Sequence, residues 1–183
     1  MKWTRAVLAG IAMIGVTALV FIGGCTSAST RADLSIVSVN NGKIFHSDLI
    51  NEADTSKIFI PVDQVVVRFA NHPHDGSATV APGTGFSEIV VTGYSVTYNN
   101  GIFSPLSGGL NVVVPSGGTA DGAITISDLA EKSSLPLNIA VTSIASINFT
   151  GYVRATANFG DAVSAHGDLT VQVANFGDAD PGK

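Results

Sequence analysis

Three places in this 183-residue sequence put reactive or metal-ligating side chains at a useful spacing. Cys25 is the only cysteine and directly follows Ile22-Gly23-Gly24. The thiolate is a strong nucleophile, and a lone cysteine has no partner for an intramolecular disulfide. His72-Pro73-His74-Asp75 brings two imidazoles and a carboxylate together, a donor set that suits zinc or copper. Against a metal site, Pro73 stiffens the segment and the remaining histidines, His46 and His166, are remote in sequence, so a solvated loop is the better reading. Asp178-Ala179-Asp180 offers oxygen ligands of the kind calcium prefers, but the rest of a calcium loop is missing and an acidic terminus is the better reading.

Nothing else in the chain has the pattern of a catalytic site. There is no Gly-x-Ser-x-Gly elbow, and Ser107-Gly108-Gly109 and Ser116-Gly117-Gly118 read as turns rather than phosphate loops. Asp and Glu are scattered, which gives a paired-carboxylate hydrolase no support. The expectation is a non-enzymatic protein without a cofactor. Tyr94, Tyr98, Phe103 and Tyr152 supply aromatic surface that a glycan platform would use, but the single tryptophan is Trp3. Tyr94 and Tyr98 are expected in the core with their hydroxyls at an edge.

The amino terminus explains the cysteine. Met1-Lys2-Trp3-Thr4-Arg5 is basic, Ala6 to Ile22 is uncharged, and small residues follow, the layout of a secretory signal. Ile22-Gly23-Gly24-Cys25 resembles the bacterial lipobox, with isoleucine and glycine where leucine and alanine or serine are usual. The resemblance implies cleavage before Cys25, diacylglycerol on its sulfur and acylation of the new amino terminus. Residues 1–24 are then a signal peptide, and residues 25–32 a lipidated cysteine with a flexible tether. Thr26 stands where aspartate commonly retains such proteins at the inner membrane, so the expected location in a Gram-negative envelope is the outer membrane.

Two of the nine basic residues, Lys2 and Arg5, leave with this segment, while all 14 acidic ones stay. An acidic body without a Lys/Arg cluster excludes nucleic acid as a partner. The expected partners are the membrane, through lipid on Cys25, and an envelope protein or glycan.

The elements that must position these residues read as strands. Val, Ile, Thr, Ser and Gly dominate the body of the chain. Ile147 to Asn158 and Val163 to Val173 alternate with period two, apolar residues at odd positions. Gly160-Asp161 supplies turn chemistry between them. Pairing Phe159 with Val163 then sets Arg154 opposite Asp168, and Thr156 opposite His166, on the outer face. Further strands are expected at Leu34–Val39, Ile58–Val62, Gln64–Ala70, Glu88–Tyr98, Leu110–Val114, Ala123–Ile126 and Leu137–Val141. Only Ser127–Ser134 looks helical, with Ser127 as N-cap. Ala157 to Ala162 recurs as Ala174 to Ala179, repeated turn chemistry at strand ends.

Seven to nine short strands over residues 33–177, followed by an acidic tail at 178–183, predict one all-β antiparallel sandwich. Val153-Arg154-Ala155, then Asn158 and Gly160-Asp161, resembles the penultimate strand and turn of fibronectin type III and immunoglobulin-like modules. The family's tyrosine position holds Gly151. That resemblance implies a fold and no active site. The leading expectation is a structural or protein-interaction module. The alternative is a glycan- or metal-binding module built on the loops of one end, His72–Asp75 and Asn99–Pro105.

Overall fold

The computed structural model describes residues 32–52, 57–74, 87–154 and 159–177. They form eight strands: β1 (Ala32–Val39), β2 (Phe45–Asp48), β3 (Gln64–Pro73), β4 (Ile89–Tyr98), β5 (Leu106–Val114), β6 (Thr119–Thr125), β7 (Ala140–Arg154) and β8 (Phe159–Ala174). One short helix, α1 (Leu129–Ser133), joins β6 to β7. The strands make a three-stranded sheet, β1-β3-β6, and a five-stranded sheet, β2-β8-β7-β4-β5. Neighbours are antiparallel except β2, which runs parallel to β8.

Alternation fixes which face of each sheet is buried. Val65, Val67 and Phe69 of β3 are buried while Gln64, Val66 and Arg68 face out. Ile147, Phe149 and Val153 of β7, with Leu169, Val171 and Val173 of β8, line the facing side. Phe69 meets Phe149 edge-on with ring centroids 4.9 Å apart, tying the two sheets together. The molecule is a nearly all-β sandwich around one apolar core.

The chain changes sheet at its start. Asn40, Asn41 and Gly42 have φ of 50°, 53° and 74°, a left-handed run that asparagine and glycine tolerate best. This single 3-10 turn lifts the chain out of β1 and delivers it to β2, so the first segment borders both sheets.

Pairing defines two poles. At the entry pole, Ala32 faces Pro73, Ile89 faces Val114 and Val153, and Asn71 Nδ2 donates to the carbonyls of Ser87 and Val114. At the far pole, Gln64 faces Thr125, Ala140 faces Ala174, and the Tyr98 hydroxyl donates to Ile126 O at 2.8 Å. Residues 49–52 and 57–63, the loop 99–105 and α1 all lie at the far pole.

Several expected elements change. Leu137–Val141 is not a strand of its own: β7 starts at Ala140 and runs unbroken to Arg154. Ile58–Val62 crosses the far pole with one bridge, Phe59 to Asn51, because Pro61 has no N–H and the chain there has left both sheets. Phe45–Asp48 is a strand that its sequence pattern does not announce.

The β7–β8 register is corrected by eight residues along β7. Asp168 lies opposite Ser146 and His166 opposite Asn148, while Arg154 faces Phe159. The odd-in, even-out parity survives because the shift is even. Gly160 is the reason. It is no turn residue but sits inside β8, beside a bulge between Tyr152 and Arg154. A Cβ there would come within 2.0 Å of Val153 O. A glycine within a strand often marks a bulge or such a close approach of backbone.

Candidate functional site

Ile22, Gly23, Gly24 and Cys25 lie outside the described residues, as do Asp75 and the tail 178–183. The described fold begins at Ala32, seven positions after Cys25, directly in a paired strand.

His72 and His74 sit on the outward face at the end of β3. A ring nitrogen of His72 is 2.8 Å from Ser35 Oγ, and His74 Nε2 is 2.7 Å from Asp33 Oδ2. Both imidazoles are thereby engaged with β1. Among the described residues no group of three or more His, Cys, Asp or Glu is placed to hold a metal ion. The two loops expected to share one end of the sandwich are separated. His72 and His74 are at the entry pole, whereas Asn99–Pro105 follows β4 at the far pole. One site cannot draw on both.

Arg154 and Asp168 are likewise not partners. Arg154 Nη1 donates to Glu88 Oε2 at 2.9 Å, and its backbone N–H to Glu88 O. Asp168 accepts from Ser146 Oγ at 2.6 Å and lies 3.3 Å from His166 Nε2. His166 Nδ1 is 3.1 Å from Asn148 Oδ1. Ser, His and Asp therefore meet on the outer face, but in an order that does not activate the hydroxyl. Ser146 gives its proton to the carboxylate and not to the imidazole, unlike a nucleophile–base–orienter relay.

The most elaborate polar cluster is buried at the far pole. Asp63 is 3 % exposed and Lys132 1 %. Lys132 Nζ donates to Asp63 Oδ1 at 2.6 Å and to Pro61 O at 2.8 Å. Ser47 and Ser127 donate their hydroxyls to Asp63 Oδ2 at 2.5 and 2.6 Å. One carboxylate thus ties β2, the approach to β3, the approach to α1, and α1 itself. Nearby, Tyr98 has its hydroxyl held well above the usual tyrosine value by burial and then by the Asp63 charge. It stays neutral and donates to Ile126 O. Three donors engage both carboxylate oxygens of Asp63, so the cluster clamps rather than reacts.

Sequence reading missed this clamp although a signal exists. Asp63 shares the odd, inward parity of Val65, Val67 and Phe69. A carboxylate in register with a buried face needs a buried partner. Ser127 is recruited to that carboxylate, so the helix cap falls one residue later. Asp128 Oδ1 accepts from the N–H groups of Ala130 and Glu131 at 2.6 and 3.3 Å. Tyr98 is buried as expected, whereas Tyr94 is half-buried against the core and accepts from Thr125 N at 3.2 Å through its hydroxyl.

The far pole also carries exposed apolar side chains. Ile58, Phe59, Val62, Leu129 and Leu137 are each about half exposed. They flank the clamp on the two segments that it joins.

No protein-family model matches the chain, and no curated protein matches it in sequence.

Proposed function

We propose that this chain is a lipid-anchored bacterial envelope protein, held by diacylglycerol on Cys25, whose immunoglobulin-like sandwich is a non-enzymatic structural or protein-interaction module. The observation that carries the reading is the run Ala6–Ile22 leading through Gly23-Gly24 to the only cysteine, with folded structure starting soon after it. Among the described residues no helix is long and apolar enough to cross a membrane, so attachment in this reading is the work of the lipid. More than one acyl chain gives stable anchoring. The outer membrane is the proposed site if the cell is Gram-negative, since Thr26 follows the cysteine.

The strand order supports the immunoglobulin-like assignment. β1, β3 and β6 correspond to strands A, B and E, and β8-β7-β4-β5 to G, F, C and C′. β2 adds an edge strand beside β8. The engagement of polar groups supports a non-catalytic role: both oxygens of Asp63 are held by donors, and Ser146 is bonded to a carboxylate.

Fractionation of cells expressing Cys25→Ser tests the anchor. The variant is expected in the soluble envelope fraction, without palmitate label and with unchanged thermal unfolding. A membrane-bound, palmitate-labelled Cys25→Ser chain would falsify the reading.

A further inference from the structure

The far pole concentrates what a partner surface needs. Among the described residues, five of the ten exposed large apolar side chains, Ile58, Phe59, Val62, Leu129 and Leu137, fall on segments of this pole, while the others are scattered over edges and outer faces. Phe59 is 55 % exposed and Val62 57 %. Ile58, Phe59 and Val62 fall within five positions of one another, and the backbone carbonyl between them, Pro61 O, is bonded to Lys132 of α1; contiguous exposed apolar surface marks an interaction site.

Charge around the pole is one-sided. Asp48, Asp128 and Glu131 stand there against Lys57. Lys132 does not relieve the imbalance, because it is buried and already neutralised by Asp63.

The stretches of sequence that directly flank the described far-pole segments bring no large apolar side chain to the patch. The neighbouring segments outside the described residues are Ala53-Asp54-Thr55-Ser56 and Asp178-Ala179-Asp180-Pro181-Gly182-Lys183. Neither contains a large apolar side chain, and between them they add three carboxylates and one lysine. A second copy fits poorly too, since a symmetric contact would press two acidic surroundings together.

We infer that the far pole is a docking surface for a protein segment with an apolar centre and Lys/Arg flanks. Apolar side chains of the partner cover Phe59, Val62 and Leu129, and its cations face Asp48, Asp128 and Glu131. The clamp keeps the two patch-bearing segments at a fixed spacing, which lowers the ordering cost of docking. The outward orientation of this surface rests on the anchoring reading above: β1 enters at the opposite pole, so a chain tethered through Cys25 presents the far pole away from its own membrane.

The test uses the whole chain carrying Cys25→Ser and a fluorescent synthetic peptide with a leucine/phenylalanine stripe flanked by lysines. The peptide is expected to bind saturably by anisotropy, at least tenfold more weakly to Phe59→Ser/Val62→Ser, and more weakly as salt rises. A Val113→Ser control at the entry pole should bind like the parent, and a peptide with glutamate in place of lysine should not bind. Equal binding to the double variant, or equal binding of the glutamate peptide, would overturn the inference. So would self-association of the parent that Phe59→Ser/Val62→Ser abolishes, since a second copy would then be the occupant. The titration needs no lipid, so its failure is separate from failure of the anchor, which fractionation alone decides.

Discussion

Lys132 and Asp63 are the side chains whose removal the fold should feel most. A buried ion pair is a poor source of net stability but a costly thing to halve, because the survivor is left charged in an apolar setting. Lys132→Met alone is expected to destabilise the mature chain by about 3–5 kcal/mol in urea unfolding. Asp63→Leu combined with Lys132→Met should recover most of that loss. A double variant as unstable as the single one would show that the clamp does more than neutralise charge. Two hydroxyls depend on the same carboxylate: Ser47 and Ser127 would each have to find another acceptor. Sequence parity places Asp63 inward, but nothing local says that Lys132 is its partner. The two are 69 positions apart, and a lysine in a short polar helix normally reads as solvated.

At the level of elements, Gly160 decides how the longest hairpin closes. Its Cα lies against the bulged backbone of β7, so Gly160→Ala must push the strands apart or straighten the bulge. The expected cost is about 2 kcal/mol, read as a lower urea midpoint with unchanged slope. A neutral Gly160→Ala would mean that the bulge is not needed. Faces were legible here and register was not. Ile147, Phe149, Val153, Leu169, Val171 and Val173 are buried as alternation requires. Alternation is blind to an even shift, however, and Gly160-Asp161 looks the same in sequence whether it turns the chain or admits a bulge. The short strand β2 carried no pattern because Phe45–Asp48 alternates for too few residues and takes its place from β8. The end of α1 was legible; its cap was not, because Ser127 and Asp128 are both good caps and the buried carboxylate claims the serine.

For the whole molecule, the anchoring reading sets orientation. The tether 26–31 reaches about 20 Å when fully extended, while the 16-residue β8 spans roughly 50 Å. The entry pole is then near the bilayer and the far pole well above it. Because Cys25 is the only cysteine and is blocked when lipidated, single cysteines can be added for labelling. A fluorophore at Ser116→Cys, in the turn before β6, should be quenched strongly by quencher-labelled lipid, and one at Asn100→Cys only weakly. The reverse ranking would turn the molecule over and place the apolar pole against its own membrane.

The crossover at Asn40–Gly42 has a mechanical meaning. Tension on the chain at Ala32, directed out of the entry pole, pulls along β1. The β1–β3 bonds lie across that direction, so they are loaded together in shear and not opened one by one from an end. Behind them, the left-handed turn hands the pull to β2, whose parallel bonds to β8 take it up in the other sheet. A body drawn between lipid at one pole and a partner at the other would resist at its first strand, where a hairpin hung by its tip would simply unzip.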